Sequence, residues 1–284
     1  MSRDAGLRRV IEDALAVAGV TVAHFDEVPD DTRDVALVVV DRATREAAGD
    51  ELCALAAPVV IVGDDLDDDG LIAIMLEAPV SHLVEDPQDR DLGITSEKLA
   101  SGDVFGLEKY LARGTPVGER AIANDADKRH AMGEVCAWAE ALGARRPIVH
   151  RIANVADELM MNALYDAPRD GPPGAARHAE LRWGADAEVI ALSVADTFGA
   201  LRQRDVIGHV RRARSERGRP RPESFAQRGA GLGLYLVVAN VASLVFNVEA
   251  GRRTEVVCLF DRTKAGRPAV SSVRSLHVFQ AAAP

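Results

Sequence analysis

Apolar and polar residues follow two different spacings in the first 90 residues of the chain. From Leu7, apolar side chains recur every three or four positions, which predicts an amphipathic helix that ends at Gly19. Further along, runs of Val, Ile and Leu alternate with helical patterns. The runs predict strands at 35–41, 58–63 and 81–86 and a β-rich stretch at 20–24, and the helical patterns cover 43–56 and 71–78. Strands of this kind are typical of a parallel sheet covered by helices on both faces, so we expect an α/β domain at residues 1–90.

The rest of the chain has longer helical patterns. Residues 91–124 mix short helical stretches with turns, and we expect a connector there. A helix is predicted at 125–142, and another begins at Pro147, because proline fits the first turn of a helix. Strands and a glycine-led helix follow, so we expect a second α/β domain at residues 125–284. For its end, residues 263–284, a further strand and a loose tail both stay open.

Charge separates the two predicted domains. The 284 residues carry 44 acidic and 34 basic side chains, for a net charge of −10, but residues 1–110 hold 25 of the acids and 9 of the bases. That part has a balance of −16, and the remainder, with 19 acids and 25 bases, has +6. Because a nucleic acid backbone is met by positive surface, the net charge does not favour direct nucleic-acid binding.

Hydropathy and cysteine usage indicate where the protein works. No apolar run approaches the roughly 20 residues that span a bilayer, and the N-terminal helix lacks the apolar core of a signal peptide. We therefore expect a cytoplasmic protein without a membrane partner. The three cysteines are far apart and odd in number, which predicts free thiols and neither a zinc site nor a disulfide framework.

The order of elements in residues 1–90 resembles a response-regulator receiver domain, with Asp41 at the end of a buried strand and Pro58 at the start of the next. A receiver also needs an acidic pair for Mg²⁺ and a lysine, but the pair has no counterpart and Glu85 stands at the lysine position. A phosphoryl group on Asp41 would then lack its charge neutralisation. The resemblance implies a degenerate receiver-like domain used for docking or dimerisation. A phosphorylated switch, and an Asp41 that merely ends a strand, are the alternatives.

Four features of the second domain combine polar residues with glycine. On the helix from Pro147, polar side chains recur every four residues among apolar neighbours, which favours a polar pocket over a solvated face; they are Asn154, Glu158, Asn162 and Asp166. The strand at 191–196 ends in Asp196, and a turn with Gly199 follows. A strand at 254–261 begins with Thr254 after a tight turn.

The remaining feature is the run RGAGLGLYLVV at 228–238, where Gly229, Gly231 and Gly233 precede an apolar helix. Closely spaced glycines let backbone amides approach phosphate oxygens, and a helix N-terminus adds partial positive charge there. By itself this glycine pattern is a weak signal. The pattern becomes informative through its place in the order of the four features.

In this order, ELMMNA, ADTFG, GAGLGLYL and RRTEVVCLF resemble the ATP-binding domain shared by histidine kinases, anti-sigma-factor serine kinases, DNA gyrase and the Hsp90 chaperones. The resemblance covers about residues 125–262. It implies a two-layer α/β sandwich of the Bergerat type that binds ATP and Mg²⁺. Together with the first domain, it predicts an α/β protein that takes part in signal transduction.

The resemblance also implies a role for each matching residue. Asn162 would help to hold Mg²⁺, and Glu158 would orient or deprotonate the attacking group. Asp196 would accept a hydrogen bond from the adenine amino group, with Thr254 in support. The glycines would lie near the nucleotide, namely Gly199, Gly229, Gly231 and Gly233. This chemistry is consistent, because Mg²⁺ prefers oxygen ligands and amides stabilise a transferring phosphoryl group.

The chain departs from the family pattern at two places. The first glycine motif has Phe198 before a displaced Gly199, and Tyr165 stands where kinases of this type often have a basic residue. Between the glycine motifs, the segment 201–228 contains nine arginines and would be the ATP lid. Its arginines would then contact phosphate, although a basic surface loop is an equal alternative.

These observations leave three functions open. The leading hypothesis is an ATP-dependent protein kinase of the anti-sigma type, which phosphorylates a serine or threonine of a regulatory protein partner. The second is a nucleotide-sensing module that changes its partner affinity without transfer. The third is an unorthodox histidine kinase, although His130 and His150 both lack the expected sequence context. A homodimer is also compatible with the sequence.

Overall fold

The computed structural model describes residues 1–29, 31–63, 80–88, 90–167, 178–204, 207–208, 231–238, 240–262 and 275–281. The chain divides into two compact units. Unit 1 comprises Met1–Val104 with Arg274–Phe279, and unit 2 comprises Phe105–Val273 with Gln280–Pro284. Each unit mixes helices with a sheet, so the α/β class is confirmed. The division between Val104 and Phe105 falls inside the segment for which we expected a connector.

Unit 1 is built on four strands. Their bounds are β1 Val38–Asp41, β2 Val59–Val62, β3 Val80–Val84 and β9 Ser275–Gln280. Strands β1, β2 and β3 are parallel neighbours, with Val39 opposite Val60 and Ile61 opposite Leu83. Strand β9 joins them antiparallel to β3, with His82 opposite His277. The strands of residues 1–90 are therefore parallel as expected, and a segment from the C-terminal end adds an antiparallel strand that was not predicted.

Three helices accompany this sheet in the described part of unit 1: α1 Ala5–Val17, α2 Arg42–Ala48 and α3 Arg90–Ser101. Helix α1 begins where the Asp4 carboxylate accepts hydrogen bonds from the amides of Gly6 and Leu7. Its apolar stripe then buries Ile11 and Leu15 in a cluster with Val39, Val60, Val62, Val84 and Leu92. The amphipathic spacing of this helix thus gives the core contact that the sequence predicts.

Unit 2 contains a five-stranded antiparallel sheet in the order β7-β8-β6-β5-β4. The strands are β4 Val117–Ile122, β5 Ala179–Ala185, β6 Val189–Asp196, β7 Ser243–Glu249 and β8 Arg253–Asp261. The two longest, β6 and β8, pair over their whole length, and their register places Asp196 opposite Thr254. Because alternate residues of β6 and β8 share a face, this pair lies on one face of the sheet at its end.

The described helices of unit 2 are α4 Asp125–Ala141, α5 Arg146–Met161 and α6 Gly231–Val238. Helix α4 starts at an Asn124 cap, and α5 has Pro147 in its first turn. Helix α5 packs against α4, α6, β5 and β6. It buries seven residues, including Ile152, Val155 and Leu159. This helix is therefore the central helical element of the unit.

Two segments differ from what the sequence pattern predicts, and a third was left open by it. Residues 20–24 form no strand, although their composition is β-rich. Residues 91–124 contain most of α3 and the whole of β4, so they are not a plain connector. Residues 275–280 form β9, which answers the question of strand or tail for that part. The predicted helix at 71–78 lies outside the described residues.

Candidate functional site

The C-terminal end of α5 brings together the two residues predicted for metal binding and catalysis. Glu158 lies in the last turn of α5 and is half-buried, and Asn162 follows at the end of the helix. The backbone amide of Asn162 donates to the carbonyl oxygens of Glu158 and Leu159, which fixes its position one turn beyond Glu158. The Asn162 side chain also donates a hydrogen bond to the Glu158 carboxylate.

The surroundings of Glu158 raise the pKa of its carboxyl group above the ordinary value. Burial is the largest cause, and the negative charges of Asp157 and Asp166 act in the same direction. The charge of Lys128 and the hydrogen bond from Asn162 oppose this shift. A carboxylate that holds its proton more tightly is a stronger base once ionised, which suits proton abstraction.

Gly233, one of the predicted glycines, lies directly against Glu158. A Cβ atom built on Gly233 would be 1.4 Å from Oε1 of Glu158 and 1.8 Å from its Cδ. With Glu158 in its observed rotamer, a Cβ atom at this position would overlap the carboxylate, so the end of the Glu158 side chain would have to move. The sequence assigned this glycine to a nucleotide contact, and the structure places it directly against the Glu158 carboxylate.

The helix continues beyond Met161 as a π-helical turn, Asn162–Asp166. Such turns are rare and often occur at functional sites. This one contacts β6 as well as α5. It turns Tyr165 toward α4, where the Tyr165 hydroxyl donates to Asp125 over 2.5 Å. The residue at the position of the expected basic side chain therefore ties two helices together.

A second tie between α4 and α5 is an ion pair. The ammonium group of Lys128 lies 2.8 Å from Oδ1 of Asp157, the residue beside Glu158. Lys128 was missed by sequence reasoning. No local signal could have revealed it, because its contact with Asp157 depends on how two helices pack.

At the end of the sheet, Asp196 and Thr254 face each other across β6 and β8. Asp196 is only 8% exposed and Thr254 only 3% exposed. Oδ1 of Asp196 accepts hydrogen bonds from the amides of Phe198, at 2.8 Å, and Gly199, at 3.4 Å. Burial raises the pKa of the Asp196 carboxyl group, and hydrogen bonds from backbone amides partly offset it. These contacts hold the carboxylate in a fixed direction.

Gly199 is in the left-handed region, with φ of +57°. A Cβ atom there would lie 2.0 Å from the carbonyl oxygen of Glu249 and 2.6 Å from the amide nitrogen of Arg252. The carbonyl oxygen of Gly199 accepts a hydrogen bond from the amide of Gly251. These contacts lock the segment after Asp196 onto the turn between β7 and β8. They give Gly199 a structural role that the sequence did not predict.

The other predicted residues are distributed as follows. Gly231 is the first residue of α6. Gly229 and nearly all of the arginine-rich segment 201–228 lie outside the described residues. Of its arginines, Arg202 and Arg204 are described. His130 is an exposed residue of α4 whose Nε2 lies 3.3 Å from Glu134. His150 is an exposed residue of α5.

In unit 1, Asp41 caps helix α2. Its Oδ1 accepts from the amide of Thr44 over 2.6 Å, and its Oδ2 accepts from the hydroxyl of Ser2. Burial alone would raise the pKa of Asp41, but the hydrogen bonds from Ser2 and Thr44 outweigh it and lower the pKa. Both oxygens of this carboxylate thus have partners within the unit. This is the arrangement of a structural cap.

Two buried oxygen atoms test whether unit 2 fits Mg²⁺ and a nucleotide. Oδ1 of Asn162 and Oγ1 of Thr254 are buried and have no hydrogen-bond partner among the described residues. An oxygen ligand such as Oδ1 of Asn162 suits Mg²⁺, and the Thr254 hydroxyl can donate to or accept from a ligand. The described residues contain no group of three or more His, Cys, Asp or Glu arranged around a metal. Mg²⁺ commonly has few protein ligands, with water and substrate phosphates completing its shell, so the residues fit this group.

The chain is similar to known proteins at the level of solved structures. No family model matches the chain, and no curated protein is similar to it. Among solved structures, a chain of the SiaB–SiaC complex from Pseudomonas aeruginosa is similar at 14% identity with a TM-score of 0.37. The similarity covers 51% of this chain and 88% of that one. Within the described residues, no helix is long and apolar enough to cross a membrane.

Proposed function

We propose that the chain is an ATP-binding signalling protein of the histidine kinase, gyrase and Hsp90 type, and that it phosphorylates a hydroxyl group of a regulatory protein partner. The observation that carries this proposal is the coincidence of two independent signals. Asn162 and Thr254, which the sequence motifs assign to Mg²⁺ and adenine, are also residues with a buried, unpartnered side-chain oxygen. A buried polar atom without a partner calls for an explanation, and a ligand that binds there supplies one.

In this proposal, adenine is held at the end of the sheet. Asp196 accepts the hydrogen bond of an amino group, because the backbone amides of Phe198 and Gly199 hold its carboxylate in a fixed direction. Thr254, its register partner on β8, supplies the second polar contact. Both groups are buried, so a ligand without an amino group would lack this additional hydrogen bond to Asp196 and bind more weakly.

The chemical step takes place at the end of α5. Glu158 removes the proton of the partner's serine or threonine hydroxyl as the hydroxyl oxygen bonds to the terminal phosphorus of ATP. The bond from that phosphorus to the bridging oxygen breaks, and ADP leaves with the electron pair. Mg²⁺, which Asn162 would hold, supplies positive charge that offsets the charge of the phosphates. The raised pKa of Glu158 favours its role as the base.

A second candidate function is a nucleotide sensor without transfer. It is favoured by the contact between Gly233 and Glu158, because the backbone of α6 lies directly against the Glu158 carboxylate. A base that is covered in this way has restricted access to a substrate hydroxyl. In a sensor, bound ATP would change the affinity for the protein partner, and Glu158 would serve only in packing.

The first experiment is thermal unfolding with Mg-ATP. A ligand at about 100 times its dissociation constant stabilises the folded state by roughly 2.7 kcal/mol. We expect this shift for the wild type and its loss in Asp196→Asn. The matched control is Asp186→Asn, because Oδ1 of Asp186 accepts from the amides of Glu188 and Val189 in the same turn geometry, but at the opposite end of β6. Equal responses of the two variants would refute the adenine site.

The second experiment distinguishes transfer from sensing. The full chain is incubated with γ-labelled ATP and candidate partner proteins. Acid-stable label on the partner that disappears in Glu158→Gln supports a serine or threonine kinase. Binding without label supports the sensor. Acid-labile label that disappears in His130→Gln supports the histidine kinase alternative.

A further inference from the structure

Lys128 lies in the first turn of α4, opposite the end of α5 that carries the candidate catalytic residues. Two contacts fix this juxtaposition. The hydroxyl of Tyr165 donates to Asp125 over 2.5 Å, and the Lys128 ammonium lies 2.8 Å from Asp157. Asp157 immediately precedes Glu158 on α5. The charge of Lys128 is therefore held beside the turn that bears Glu158.

The side chain of Lys128 is largely buried, with 14% of its surface exposed, whereas that of Asp157 is 52% exposed. Burying most of a lysine costs side-chain entropy and solvation of its ammonium group. Its partner Asp157 recovers little of this cost, because ion pairs with a solvated carboxylate are weak. The ion pair is consequently easy to exchange for a more highly charged partner.

The balance of charge around Glu158 is negative. Asp157 and Asp166 both act on Glu158, and Lys128 is the cation that acts against them in the described part of unit 2. Terminal phosphates at this place would add further negative charge. Because the stem of lysine is long and flexible, rotation about its side-chain bonds can move the ammonium from Asp157 to a neighbouring anion without movement of the helix.

We propose that Lys128 leaves Asp157 when nucleotide binds and contacts the terminal phosphate, so that helix α4 supplies the cation by which the site distinguishes ATP from ADP. This inference rests on the proposed function. It assigns a phosphate contact to a helix that none of the glycine motifs includes. It also gives Asp157 a role, as the partner that holds Lys128 in place while the site is empty.

The test is calorimetric titration of the full chain with Mg-ATP and, separately, Mg-ADP. Lys128→Met keeps the apolar stem and removes the charge, and Lys128→Arg keeps the charge. We expect Lys128→Met to weaken ATP binding about 10- to 100-fold, the range for a lost hydrogen bond to a charged group, and to change ADP binding by less than about twofold. Lys128→Arg should retain the preference for ATP. Arg129→Met, which removes an exposed cation from the next position of α4, should leave both affinities unchanged.

The outcomes separate this inference from the proposed function. If the wild type binds ATP through Asp196 but Lys128→Met keeps the full preference for ATP over ADP, the role of Lys128 is refuted and the proposed function stands. Equal weakening of both nucleotides, together with a lower melting temperature of the free variant, would show a merely structural lysine. If the wild type binds neither nucleotide, both proposals fail.

Discussion

Among single residues, Glu158 is the one to which we assign the base of the proposed reaction, and its ionised form is also unfavourable for folding. Burial and two neighbouring acids raise the pKa of its carboxyl group. A carboxyl group with a raised pKa in the folded state stabilises the protein below its unfolded pKa, and that contribution is lost as pH rises through the folded pKa. At neutral pH the ionised Glu158 is therefore unfavourable for folding.

We predict that Glu158→Gln raises the melting temperature of the free protein at pH 7.5, because a neutral amide removes the charge but keeps the hydrogen-bonding oxygen. Phosphoryl transfer should fall about 10²- to 10⁴-fold, the range for loss of a general base. Thermal unfolding and a labelled transfer assay measure the two effects. The gain in stability should vanish in acid, where Glu158 is already protonated.

Glu134→Gln is the matched control for this prediction. Glu134 is a half-buried residue of α4, and hydrogen bonds from Arg120 lower the pKa of its carboxyl group. Its ionised form is favourable, so the substitution should leave transfer unchanged and should not stabilise the protein. A higher melting temperature for Glu134→Gln, or a lower one for Glu158→Gln, would contradict this account of the charges.

Sequence motifs located the polar residues of the site better than they described their contacts. The positions of Glu158 and Asn162 on one helix follow from a spacing of four residues, and that spacing is a local property. The close contact between Gly233 and Glu158 depends on how two helices pack, and the left-handed Gly199 depends on a remote turn. Tyr165 departs from the family pattern, and its contact with Asp125 depends on the π-helical turn.

Among the elements, the turn between β7 and β8 is locked to the end of β6 by Gly199. We predict that Gly199→Ala destabilises the protein by about 3 kcal/mol or more, because the left-handed backbone costs roughly 1–2 kcal/mol and crowding against Glu249 adds about as much. Gly251→Ala is the control. Its φ of +72° carries the same backbone cost, but a Cβ atom there meets nothing within 4 Å. Equal urea midpoints for the two variants would refute the lock.

The pairing of β3 with β9 buries two histidines in unit 1, His82 and His277, which lie opposite each other. Burial, with the charge of Lys98 in addition, lowers the pKa of His277 to about 3. Burial, His277 and Lys98 lower the pKa of His82 as well. Both rings are therefore neutral in the folded state and become protonated on unfolding in mild acid.

This arrangement predicts a pH dependence of stability. The contribution of a histidine with a lowered pKa is present above its unfolded pKa of 6.5 and is lost as pH falls toward about 3. For His277 alone, we expect a loss of about 2 kcal/mol between pH 7.5 and 5. Urea unfolding measures this loss of unfolding free energy. The loss should be smaller in His277→Gln, and it should be unchanged in His130→Gln, because His130 is exposed on α4. The same loss in both variants would contradict the prediction.

Elements with a local hydrophobic pattern were predicted well, and those defined by remote partners were not. Helix α1 and strands β1, β2 and β3 lie where apolar runs and helical spacing place them. Strand β9 could not be assigned, because its pairing with β3 joins residues almost 200 positions apart. Residues 20–24 were expected to be β-rich but form no strand, because composition alone does not make a strand where no neighbouring strand pairs with it.

For the whole molecule, the net charge of −10 is an average over two unlike parts. The acidic part coincides largely with unit 1, in which Asp41 is occupied as a helix cap. The site residues of the proposed function all belong to unit 2. Under the proposed function, nucleotide chemistry takes place in unit 2, and we propose that unit 1 docks a protein partner or a second copy of the chain.

The most direct test of the central claim is a calorimetric titration of the full chain with Mg-ATP. The account predicts binding of one nucleotide per chain, which is lost in Asp196→Asn and weakened when Mg²⁺ is removed, because Asn162 is assigned to the metal. Absence of heat from the wild type at millimolar Mg-ATP, or binding that Asp196→Asn leaves unchanged, would contradict it.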